Sequence, residues 1–106
     1  MKTFTGNYIA QGDLNIFRVD TIPPLTETAD RVLAHSETGH HHVIEGNAVR
    51  VYEQDDFVSY LDVQKTAKIV HLRGFDTHET VEIPPGKYRV TRQREYVPDG
   101  FRRAAD

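Results

Sequence analysis

Short alternations of apolar and polar residues, separated by turn residues, run through most of this chain. Tyr8-Ile9-Ala10 leads through Gln11-Gly12-Asp13 into Leu14-Asn15-Ile16-Phe17-Arg18-Val19, which is the pattern of a β-hairpin. The longer apolar repeat that marks an amphipathic helix is nearly absent. The pattern therefore predicts an all-β fold.

The same alternation predicts further strands at residues 31–35, 40–45, 48–53, 57–63, 67–72, 79–83 and 86–95. Residues 20–30 contain Pro23 and Pro24, which lack backbone donors, so we expect a long loop there. Residues 101–106 are expected to form a short helical turn or a tail. We predict a single β domain over residues 1–106, a small barrel or sandwich of about eight short antiparallel strands.

The segment Thr38-Gly39-His40-His41-His42 carries the most chemistry, because imidazole is the commonest protein metal ligand. It lies at the tip of the hairpin predicted over residues 31–45. On an extended strand His40 and His42 point to one face and His41 to the other. His40 and His42 are therefore the predicted ligand pair.

A third donor is needed, and His78 is the candidate, since it stands beside a second turn at Pro84-Pro85-Gly86. We predict a divalent transition metal (Fe, Mn, Ni or Zn) held by His40, His42 and His78, with a position open to water or substrate. Whether a carboxylate from Glu45, Glu79 or Glu82 completes the metal site is left open. The alternation of side chains along a strand places Glu45 on the face opposite His42.

The alternative is that the histidines have no ligand. His35 and His71 are then residues of a polar face or hydrogen-bonded core residues, and His41 faces solvent. In that case the cluster is only the polar tip of a hairpin.

Composition narrows the function classes. The chain has no cysteine, which excludes disulfides, thiolate metal sites and thiol nucleophiles. The formal charge of −3 argues against nucleic acid or a membrane surface as the partner. No segment has the apolar length of a signal peptide or a membrane span, so we expect a soluble, cytoplasmic protein.

The basic stretch from Tyr88 to Tyr96 places Tyr88, Val90 and Arg92 on one face of a strand and Arg89 on the other. Basic and aromatic residues in alternation can stack single-stranded bases. The net charge favours instead a strand whose first residues lie in the core and whose end emerges into solvent. Exposed β-edges also serve subunit pairing, which makes a homo-oligomer a further expectation.

Two short motifs resemble those of the cupins. Gly39, His40, His42 and Glu45 follow the order of the first cupin motif with compressed spacing, and Pro84-Pro85-Gly86 is similar to the second. Arg89 stands where the histidine of the second motif belongs. The resemblance implies a small barrel with a metal in its mouth, His40 and His42 as ligands, and a vacant fourth position.

A broader resemblance spans nearly the whole chain. Thr38-Gly39-His40-x-His42, Ile83-Pro84-Pro85-Gly86-x-Tyr88-Arg89-Val90 and Arg92-Gln93-Arg94-Glu95-Tyr96 are similar to motifs of a group of small uncharacterised proteins of bacteria and their phages. That group implies no activity.

The leading functional hypothesis is a small soluble binding protein with a histidine-lined, metal-containing pocket. The first alternative is a non-catalytic oligomeric accessory or structural protein of a phage or mobile element. The second is a cupin-like metal-dependent enzyme. The identity of a small-molecule or protein partner stays open.

Overall fold

Eleven β-strands in two sheets make up the computed structural model, which describes residues 1–34, 41–72 and 80–92. The strands in chain order are β1 (Lys2–Thr3), β2 (Tyr8–Gln11), β3 (Leu14–Val19), β4 (Glu27–Thr28), β5 (Val32–Ala34), β6 (His41–Glu45), β7 (Val49–Glu53), β8 (Val58–Val63), β9 (Ala67–Leu72), β10 (Val81–Ile83) and β11 (Gly86–Arg92).

The two sheets differ in size and in the order of their strands. The five-stranded sheet has the order β1-β10-β9-β6-β5, and the six-stranded sheet has the order β2-β3-β11-β8-β7-β4. Neighbouring strands are antiparallel except β1 and β10, which are parallel. In the described part of the chain the sheets do not close into a barrel, so the architecture is a sandwich.

Alternating apolar residues from both sheets fill the space between them. On β3, Leu14 and Ile16 are fully buried while Asn15 and Phe17 are only partly covered, as the two-residue period of a strand requires. On β9, Ala67 and Ile69 supply the facing layer. The remaining core members are Phe4, Leu33, Ile44, Val49, Val51, Leu61, Val63, Val81, Ile83, Tyr88 and Val90.

The all-β prediction is confirmed, with the sandwich and not the barrel as its form. The predicted hairpins at residues 8–19 and 48–63 are the pairs β2–β3 and β7–β8. The larger strand number comes from short segments such as β1 and β4, which are too brief to show an alternation. The predicted helical turn at residues 101–106 lies outside the described residues.

Among the described residues, no helix has the length and apolar character needed to cross a membrane.

One end of the sandwich is closed by aromatic rings. Phe4 and Tyr88 meet edge to face with their centroids 5.1 Å apart, and the Tyr88 hydroxyl donates to the Pro84 carbonyl at 2.6 Å. Burial raises the pKa of the Tyr88 phenol above its ordinary value of 10.0, and the Arg18 guanidinium opposes this shift only in part. The fold therefore favours the neutral phenol.

We expect Tyr88→Phe to lower the free energy of unfolding by about 1 kcal/mol near neutral pH, because it removes the bond to Pro84. The raised pKa means that the stabilisation by the phenol is fully present below its unfolded pKa and is lost as pH rises through the folded pKa. The difference in the free energy of unfolding between wild type and Tyr88→Phe should therefore be smaller above about pH 10 than near neutral pH, as measured by urea unfolding. Tyr52→Phe, at a half-buried tyrosine of the outer face, is the control, and a gap for Tyr88→Phe that is independent of pH would contradict the assignment.

Candidate functional site

Two histidines lie side by side in the interior, at the end of the sandwich opposite Tyr88. His42 on β6 and His71 on β9 are direct cross-strand partners, and both are buried. Their rings stack with centroids 4.2 Å apart and planes 13° from parallel. Burying two imidazoles costs free energy unless their nitrogens have partners.

Gln11, the last residue of β2, connects His42 to the opposite sheet. Its amide Nε2 donates to the Ile69 carbonyl at 2.7 Å, and its Oε1 lies 2.8 Å from His42 Nδ1. Because the bond to Ile69 fixes which end of the amide is the oxygen, Nδ1 of His42 must carry the hydrogen and donate it. The amide of Gln11 thereby sets the orientation of the imidazole ring.

Asp13 faces the other nitrogen of the ring. Its Oδ1 lies 3.0 Å from His42 Nε2, and its side chain is 50% exposed, so this carboxylate is the solvent-facing member of the cluster. Arg92 approaches the second oxygen at 3.9 Å. Since Nδ1 is already a donor, Nε2 and the carboxylate are two acceptors unless a proton or a cation lies between them.

Gly12 allows Asp13 and Gln11 to flank the histidines. Its φ of +58° is in the left-handed region, and a Cβ there would lie 2.9 Å from His71 Cε1 and 3.3 Å from His42 Cε1. The turn between β2 and β3 thus passes against the edges of both rings, which only a residue without a side chain permits.

Of the three predicted ligands, only His42 falls within the described residues; His40 and His78 lie outside them, as does His35. Side chains alternate along β6 as predicted. His42 is buried, His41 is only half-buried, and Glu45 is exposed on the face opposite His42. In the described ranges, no three histidine or acidic side chains come together as a metal cage. The metal site predicted from His40, His42 and His78 therefore stays a prediction.

Sequence reasoning did not single out Gln11 and Asp13 as partners of His42. One signal was present in the sequence. Side chains alternate along β2, so Gln11 points to the same inward face as Ile9, just before the turn at Gly12 and Asp13. A polar residue at an inward position needs a partner, but local pattern cannot say which one.

The fold and this cluster define an all-β sandwich protein with a histidine pair buried between its sheets. The chain belongs to the family described as Domain of unknown function (DUF8820), whose model matches residues 10–93. No curated protein and no solved structure matches the chain. The family agrees with the expected group of uncharacterised proteins, and it gives the cupin resemblance no support.

Gly12→Ala should lower the free energy of unfolding more than an alanine does at a position of positive φ where the added Cβ meets no other atom. The strained backbone costs about 1–2 kcal/mol, and the close contact with the His71 ring adds about 1–3 kcal/mol. Urea unfolding measures the sum.

Gly6→Ala is the matched control, because Gly6 has a φ of +72° and no atom within 4 Å of the added Cβ. Its loss should equal the backbone cost alone. Equal losses for the two variants would show that the turn does not pack against the histidines.

Proposed function

We propose that this protein is a small binding protein whose ligand is a divalent transition-metal ion, held by Nε2 of His42 and the carboxylate of Asp13. The observation that carries this proposal is the fixed direction of the His42 ring. With Nδ1 committed as a donor to Gln11, the lone pair of a neutral His42 is directed at Asp13.

The spacing of the two donor atoms supports chelation. In octahedral or square-planar coordination, where neighbouring bonds meet at about a right angle, metal–nitrogen and metal–oxygen bonds of about 2.1 Å place two neighbouring donor atoms about 3 Å apart. The separation of His42 Nε2 and Asp13 Oδ1 is 3.0 Å. A bound cation would replace the proton that this contact otherwise needs.

The role of Gln11 also fits. Metal-binding histidines usually donate their second N–H to a carbonyl or carboxylate, which fixes the tautomer and the ring orientation. Gln11 Oε1 accepts that bond here, and Gln11 is itself held by the carbonyl of Ile69. The half-exposed Asp13 provides the route by which an ion reaches the nitrogen.

The proposal needs ligands beyond these two. His42 and Asp13 leave several coordination positions for water, for a bound small molecule, or for the predicted donors His40 and His78. Imidazole and carboxylate together suit iron, manganese, nickel and zinc.

We expect tag-free protein to bind Zn²⁺ or Ni²⁺ in isothermal titration calorimetry, and Asp13→Asn to weaken the affinity by at least about tenfold. Asp13 is half exposed, so its substitution is expected to leave the fold intact, which circular dichroism checks. Asp56→Asn removes an exposed carboxylate from a hairpin turn and should bind as wild type does.

Failure of wild-type protein to bind these ions would overturn the proposal, as would equal affinity of Asp13→Asn and wild type. In either case the cluster would be a structural tie between the sheets. The cupin-like enzyme is favoured less, because the described strands form an open sandwich without the barrel that such a site requires. The oligomeric accessory protein stays an alternative.

A further inference from the structure

Arg92, the last residue of β11, lies at the same end of the sandwich as the histidine pair. Its backbone N–H donates to the Phe57 carbonyl at 2.8 Å, and it pairs across the sheet with Leu14 on β3. Its side chain continues the face of β11 that buries Val90. Because Leu14 directly follows Asp13, this register places Arg92 beside the carboxylate of the proposed metal site.

The Arg92 guanidinium is held in place while its donors stay uncommitted. Its Cζ lies 5.7 Å from the centroid of the Phe57 ring, and the side chain is only 29% exposed. Its Nε lies 3.9 Å from Asp13 Oδ2, which is beyond hydrogen-bond distance. Within the described ranges, no acceptor takes a hydrogen bond from this side chain. A guanidinium carries five N–H donors in a planar fork that matches the oxygens of a carboxylate or phosphate.

A bound metal ion would leave this end of the sandwich with an excess of positive charge, which rests on the proposed function. In the part of the chain that the structure describes, Asp13 is the only carboxylate that contacts either His42 or Arg92. His42 binds the ion as a neutral imidazole. One carboxylate cannot neutralise a divalent ion and a guanidinium together, and two like charges beside each other repel. Water or a neutral ligand at the open coordination positions would leave that excess in place.

We infer that the site takes a small oxyanion together with the metal, a carboxylate or phosphate group whose oxygens are shared between the ion and the Arg92 guanidinium. The anion supplies the negative charge that Asp13 alone does not, and it gives the donors of Arg92 an acceptor. The half-exposed side chain of Asp13 leaves the site open to a molecule from solvent. A neutral molecule of the same shape could occupy the same positions, but it would not balance the charge.

The test is isothermal titration calorimetry of Ni²⁺ into tag-free protein, in acetate and in acetamide at equal ionic strength. The two probes have nearly the same shape and differ in charge. If acetate binds with the metal, it should tighten the apparent Ni²⁺ affinity about fivefold or more, because the two ligands are thermodynamically linked. Acetamide should leave the affinity as it is in buffer alone. Inorganic phosphate in place of acetate, corrected for its binding of free Ni²⁺, shows which of the two oxyanions the site prefers.

Two arginine variants locate the effect. Arg92→Gln should abolish the gain from acetate, yet without acetate it should bind Ni²⁺ at least as tightly as wild type, because a positive charge near the ion is gone. That second result also shows that the fold and the metal site are intact. Arg89→Gln is the matched control: it removes the same charge from the opposite face of β11, where Arg89 likewise lies over a ring, 5.5 Å from the centroid of Phe17. It should keep the full gain from acetate.

The outcomes separate this inference from the proposed function. If wild-type protein does not bind Ni²⁺, the metal site is wrong and the shared anion is wrong with it. If Ni²⁺ binds with equal affinity in acetate and in acetamide, only the shared anion is overturned. Weaker Ni²⁺ binding by Arg92→Gln in the absence of acetate would mean that Arg92 serves to position Asp13, and an equal loss of the acetate gain in both arginine variants would mean that general charge causes it. Either result contradicts the inference.

Discussion

The hydrogen bonds of the Gln11 amide are the constraint on which the polar end of this molecule depends. Gln11 belongs to the six-stranded sheet, and both of its partners, Ile69 and His42, belong to the five-stranded sheet. One side chain therefore ties the two layers together and orients the imidazole at the same time. Losing it would remove the partner of a buried imidazole nitrogen, which costs more than the bond itself contributes.

This constraint gives the two ends of the sandwich different properties. At one end Phe4 and Tyr88 close the core by ring contacts, with one polar bond from the Tyr88 hydroxyl to the Pro84 carbonyl. At the other end the closure depends on polar groups whose partners must all be present, and the half-exposed Asp13 is the point where solvent reaches them. The proposed metal site lies at this second end, because its donor atoms belong to the polar cluster.

Local pattern in the sequence accounts for much of the fold and for part of the site. Alternation predicts the hairpin over residues 8–19 and separates His42 from His41, because both depend on the two-residue period of a single strand. It cannot predict that Gln11 meets His42, since that contact depends on how the sheets pack.

The central claim is that Gln11 holds the His42 ring with its hydrogen on Nδ1. Long-range ¹H–¹⁵N NMR of the histidine side chains tests it most directly, because the two tautomers give different nitrogen shifts and couplings. The account predicts a protonated Nδ1 on His42, and its N–H signal should exchange slowly with water because the ring is buried. An unprotonated Nδ1 on His42 would contradict the geometry on which the proposed site rests.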